Sequence, residues 1–129
     1  MNARFHASRV GQGMCVVTGE REAHAQTAED LREALSAAVA GGCKRVLVDL
    51  QESEHIDPLV LGAILGSQRR LSHFGGDMGV LCASESGYAD LERVGIPRQM
   101  QAFEERQDAL DWLGTNNIEY VKENSESRR

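Results

Sequence analysis

The chain has 129 residues, a formal net charge of −6, and 41% hydrophobic against 26% charged residues. That length suits one globular core, since two would each be too small to bury enough apolar surface, and the 5% aromatic content leaves the filling to aliphatic side chains. The acidic balance, with no lysine or arginine stripe interrupting it, argues against a nucleic-acid partner, and no apolar run approaches the roughly 20 residues that would insert in a membrane.

Residues 5–10 and 14–18 are short β-prone stretches flanking Gly11-Gln12-Gly13, which predicts an N-terminal hairpin. The first ten residues lack the apolar core of a signal peptide, so a cytoplasmic location is expected. Thr27 is placed as an N-cap, Glu29 and Asp30 put negative charge in the first turn, and Leu31, Leu35 and Val39 recur at helical spacing before Gly41-Gly42. Residues 44–50 (KRVLVDL) carry apolar side chains at both parities, which predicts a central strand covered on both faces.

A second helix is predicted over residues 57–74, stopped by Gly75-Gly76, and an apolar strand over 78–83. Its helical wheel gives a core face of Val60, Ile64, Leu71 and Phe74, flanked by Leu61 and Leu65, and turns Leu59, Ala63, Gly66 and Arg70 elsewhere. A third helix is predicted over about 86–94, ending at Gly95-Ile96-Pro97, then a short strand over 100–103 and a fourth helix over 105–113 closed by Gly114. The fold class is therefore α/β: one domain over residues 1–114, a mixed and mostly parallel β-sheet opened by an N-terminal hairpin, with about four α-helices. Residues 115–129 are expected to be a polar extension, partly disordered at its end, with Ile118, Tyr120 and Val121 as its docking candidates.

The histidines His6, His24, His55 and His73 share no metal-site spacing, so no metal is expected. Cys15, Cys43 and Cys82 have no CxxC spacing and an odd count; they read as reduced thiols, two of them buried in strands and Cys43 more exposed. Asp49, Glu52, Glu54 and Asp57 gather at the carboxyl end of a strand, where α/β sheets often place ligands. No phosphate-binding or nucleophile-elbow motif occurs, so no catalytic residue and no cofactor is assigned.

The strings VLVDL and IDPLVLGAILG, the Gly-Gly before the next strand and the later LERVG together resemble the STAS (anti-sigma factor antagonist) family over about residues 4–113. In that family a central strand leads through a loop into an Asp-Ser-Ser/Thr-Gly-Leu-Gly motif; here Asp57, Leu61, Gly62 and Leu65 match. The resemblance implies a cofactor-free bacterial protein-binding module, commonly an antagonist switched off when an anti-sigma factor kinase phosphorylates the serine after the motif aspartate. This chain has Pro58 at that position, Leu59 next and Val60 for the motif glycine, so there is no phosphoacceptor at the usual place.

The physics of the substitution is conservative, because Asp57 still serves as N-cap and proline at N1 gives up an N–H that would be orphaned anyway. The expected partner-binding set is Asp57, Pro58, Leu59, Val60, Gly62 and Ala63, with Glu22 and His24 from the loop after the hairpin. Leu59 is the anchor in this reading; an isolated surface leucine folded back over its own loop is the plain alternative. Ser53, Thr27 and Ser67 are weighed as relocated phosphosites, with Thr27 better explained as a cap and Ser67 as helix surface. The expected partner is an anti-sigma factor, switch kinase or other signalling protein; the alternative function is a scaffold or self-associating subunit of a signalling or transport assembly, for example a homodimer.

Overall fold

A computed structural model describes residues 5–19, 27–51 and 53–114. Strands β1 (Phe5–Gly11) and β2 (Met14–Gly19) form the hairpin, turned at Gly13 and bulged between Arg9 and Gly11. Helix α1 (Ala28–Ala40), strand β3 (Arg45–Asp49), helix α2 (Pro58–His73), strand β4 (Asp77–Leu81) and helix α3 (Glu85–Arg93) follow, then α4 (Ile96–Gln99), β5 (Gln101–Phe103) and α5 (Arg106–Leu113). The five strands lie in the order β1-β2-β3-β4-β5, with β1 antiparallel to β2 and every other neighbouring pair parallel. This is the mixed sheet that the alternation of elements predicts, with β3 at its centre.

Both parities of β3 are buried, as the run KRVLVDL requires. Val46 and Val48 join Cys15, Val17, Met78 and Val80 on the face covered by α1 and α2, whereas Leu47 joins Val16 and Leu81 on the face covered by α5. Gly79 sits where Trp112 of α5 closely approaches the sheet: a Cβ there would fall 2.8 Å from the Trp112 ring. Arg45 fastens the other end of the same contact, its guanidinium 5.0 Å from the Trp112 ring centroid and donating to the Trp112 carbonyl at 2.8 Å.

Several expectations are corrected. A fifth helix exists, the single turn α4, because Gly95 takes a left-handed φ of 80° and Pro97 then serves in a first turn rather than as a terminator. Phe74 is 58% exposed instead of core, since α2 ends at His73 and the helical phase no longer aims the next side chain inward. Ala63, expected on the outer surface, is only 2% exposed: α1 packs along α2, so the buried arc is wider than the sheet alone would make it. Thr27 occupies the N-cap position of α1 without a side-chain capping bond. Cys15 and Cys43 are joined as a disulfide and Cys43 is buried at 2%, so two of the three expected thiols are not free. The expectations for residues 115–129 lie outside the described residues.

Candidate functional site

The carboxyl end of β3 runs through residues 50–57 into α2, and the described part of that connection is fixed from several sides. Asp49 is fully buried; its Oδ1 accepts from the Gln51 amide at 2.8 Å and its Oδ2 lies 2.9 Å from Arg106 Nη2 at the start of α5. That second contact has ion-pair distance without hydrogen-bond alignment, and among the described residues Arg106 Nε and Nη1 are buried with no hydrogen-bond partner. Gln51 adopts a left-handed φ of 56°, and its side-chain Nε2 donates to the Gly19 carbonyl at 2.6 Å. The acidic residues of this region therefore do not converge: Asp49 turns inward to Arg106, Glu54 is exposed, Asp57 caps its helix, and Glu52 lies outside the described residues.

Helix α3 clamps the connection. Ser84 caps α3 by accepting from the Gly87 amide at 2.9 Å, Ser86 Oγ donates to the Glu54 carbonyl at 2.8 Å, and Asp90 Oδ2 accepts from the Ile56 amide at 2.9 Å. A Cβ on Gly87 would lie 2.2 Å from the Ser53 carbonyl oxygen and 2.5 Å from Cys82 Sγ, so only glycine permits this approach. Ser53 is buried with its hydroxyl donating to the Leu50 carbonyl at 2.9 Å.

The Ile56 amide, together with the hydrogen bond and charge of Arg93, holds the Asp90 carboxyl below the usual carboxylate range, against the opposing effect of its burial. A depressed folded value contributes stability that is complete above the unfolded value of about 4 and is lost as the pH falls through the folded value. Thermal unfolding followed from pH 7 to pH 2 should therefore show an acid limb that Asp90→Asn flattens; an unchanged limb in that variant would exclude Asp90 as its source.

At the start of α2, Asp57 Oδ1 accepts from the Leu59 amide at 2.8 Å and Pro58 occupies N1. Leu59 is 56% exposed, and a Cβ added at Gly62 or Gly66 would meet open space. Positions 59, 62 and 66 share one stripe of the helix, so a leucine stands beside nearly bare backbone at its amino end. Of the residues expected in a binding face, Asp57 is half-buried and Pro58, Leu59 and Gly62 are exposed. Val60, at 0% exposure, and Ala63 belong to the core and are corrected out of that face. Glu22 and His24 lie outside the described residues.

Sequence reasoning missed Asp90, Ser86, Gly87 and Arg106, which hold the face rather than form it. Their only sequence signals are the cap Ser84 and a carboxylate three residues before Arg93 inside a polar helix. Among the described residues no group of three His, Cys, Asp or Glu side chains is placed to hold a metal, and no helix is long and apolar enough to cross a membrane.

The STAS domain family model matches residues 7–109. Among solved structures, an anti-sigma factor antagonist from Mycobacterium paratuberculosis is 21% identical, with a TM-score of 0.74 over 85% of this chain and 92% of that one. A candidate anti-sigma factor antagonist from Thermotoga maritima gives 16% identity and a TM-score of 0.73, covering 84% of this chain and 93% of its own. The Bacillus anti-sigma factor antagonist SpoIIAA in its unphosphorylated form gives 20% identity and a TM-score of 0.71, covering 85% and 96%. At these identities the likeness establishes the shared fold. No curated protein sequence matches the chain.

Proposed function

The chain belongs to the STAS domain family, and from that premise we propose that it is a non-enzymatic regulatory binding domain, of anti-sigma factor antagonist type, that acts without the usual phosphate switch. The observation that carries this reading is the start of α2: capped by Asp57, begun by Pro58, and presenting Leu59 at 56% exposure beside Gly62. A hydroxyl at position 58 would sit at the positive end of the helix dipole, where a phosphate changes charge and contacts at once. Proline keeps the helix start and has no oxygen to modify. Leucine and the open glycine backbone offer instead an apolar anchor and close approach, the elements of a small protein-binding hot spot.

The partner in this reading is a cytoplasmic signalling protein of the anti-sigma factor or switch-kinase kind, engaged through Asp57, Pro58, Leu59 and Gly62. No cofactor takes part. Affinity capture from native lysate, with the captured protein then purified and titrated against the domain, tests the proposal. Binding should be equal before and after the domain is incubated with a switch kinase and ATP, and mass spectrometry should find no phosphate on residues 57–63. Loss of binding after that incubation would show that a phosphate switch operates from another residue and would overturn the constitutive reading.

A further inference from the structure

Cys15 of β2 and Cys43, in the turn between α1 and β3, are joined with their Cα atoms 6.1 Å apart across 28 residues of sequence, a separation within the range that a disulfide requires. The bond closes a loop containing the whole of α1 and ties that helix's exit to the sheet, where Cys15 stands opposite Val46. Both cysteines are buried, at 4% and 2% exposure. An open groove of about 610 Å³ runs beside them: Gly13 and Met14 precede Cys15, Gly42 and Lys44 flank Cys43, and Arg9 and Arg45 add charge to its walls. Each cysteine is thus buried but flanked in sequence by residues that line this groove, which is the nearest open surface from which a small oxidant can reach the pair. Cys82 stands apart at the far end of β4, with Sγ directed at the Ser53 carbonyl.

In a protein working in the cytoplasm, where thiols are kept reduced and disulfides are mostly transient, a bond at this position needs an occasion to form. We propose that Cys15 and Cys43 are a reversible redox staple, closed by peroxide and opened by a thiol reductant, whose state sets the stability of the domain. One thiolate attacks peroxide, giving a sulfenic acid and releasing one water; the second thiol displaces the sulfenic oxygen as another water and the S–S bond forms. The two sulfurs lose two electrons and two protons in total, and a reductant returns them. The staple acts chiefly by restricting the unfolded chain, and it lies at the opposite end of β3 from the α2 docking surface.

The test uses the full chain, reduced with a phosphine and then treated with hydrogen peroxide. Oxidation should lower the intact mass by two hydrogens, yield a digest peptide linking Cys15 to Cys43, and raise the melting temperature by on the order of 10 °C over the reduced form. Cys82→Ala should keep the shift, and Cys43→Ala should abolish it. Because the wild-type chain is compared with itself, the result does not depend on the fold tolerating Cys43→Ala. Absence of the linked peptide, or equal melting of the oxidised and reduced chains, would overturn the proposal.

Discussion

Leu59→Asp is expected to weaken partner capture at least about 100-fold while leaving the fold intact. Two independent contributions add to the loss. Burying a leucine against a partner contributes on the order of 1.5–3 kcal/mol, and at 56% exposure most of that side chain is still available for burial. Putting a carboxylate in its place adds a desolvation cost that an apolar partner pocket cannot offset. The fold, by contrast, has little reason to respond. Position 59 is in the first turn of α2, where a negative charge is favoured by the helix dipole by roughly 0.3–1 kcal/mol, and the Leu59 amide rather than its side chain makes the capping bond to Asp57. Melting should thus be unchanged or slightly higher. Leu59→Ala should fall between, at about tenfold. Capture unimpaired in Leu59→Asp would dismiss this face as the interface, and a collapsed melt would mean that Leu59 packs on its own loop instead.

How far the sequence carries such an argument depends on which physical effect places a residue. Hairpin, strands and principal helices are legible because each has a local signature: both parities apolar in Val46, Leu47 and Val48, Asp57-Pro58 opening α2, Gly75-Gly76 closing it. The exposure of Leu59 follows from helical phase. What phase alone does not give is the width of the buried arc, and so Ala63 is misplaced: the arc depends on α1 lying against α2, a contact between segments some thirty residues apart that Arg70 and Ser36 also bridge at 3.2 Å. Phe74 fails for a different reason, since a periodicity drawn one residue past the helix end predicts a direction the chain no longer takes. The Cys15–Cys43 bond has no spacing motif because it depends on the register of β2 against β3, and register is a property of the sheet.

The same distinction separates the residues that form the candidate face from those that hold it. Asp57, Pro58, Leu59 and Gly62 fall within six residues of sequence and announce themselves. Asp90 and Ser86 reach back more than thirty residues to the main chain of Ile56 and Glu54, and nothing at their own positions marks them for that work. A degenerate motif is therefore a poor guide to whether a docking platform survives. Here the contacts that hold the connection into α2 come from α3 and α5, away from the altered positions.

Arg106 supplies the strongest test of those supports. Asp49 is wholly buried and its only cationic neighbour among the described residues is Arg106, 2.9 Å away with 19% of its side chain exposed. Taking the partner from a buried ion pair strands the remaining charge and typically costs about 3–5 kcal/mol, far more than the pair itself contributes relative to an apolar replacement. Arg106→Met, which keeps an unbranched stem in place, is therefore expected to destabilise the domain by about 4 kcal/mol in urea unfolding at pH 7. The further change Asp49→Leu on that background should recover a good part of the loss, because no charge is then left in the interior. Recovery will be incomplete, since the Asp49 carboxylate also accepts the Gln51 amide and supports that residue's left-handed turn into the docking loop. The pair thus predicts a divergence between two measurements: the double variant regains stability while partner capture stays reduced, as the turn that aims residues 53–57 at α3 has lost its acceptor. Additive losses in the double variant, or an Arg106→Met change below about 1 kcal/mol, would mean that the Asp49 charge is already compensated by the Gln51 amide and that α5 does not help to hold the site.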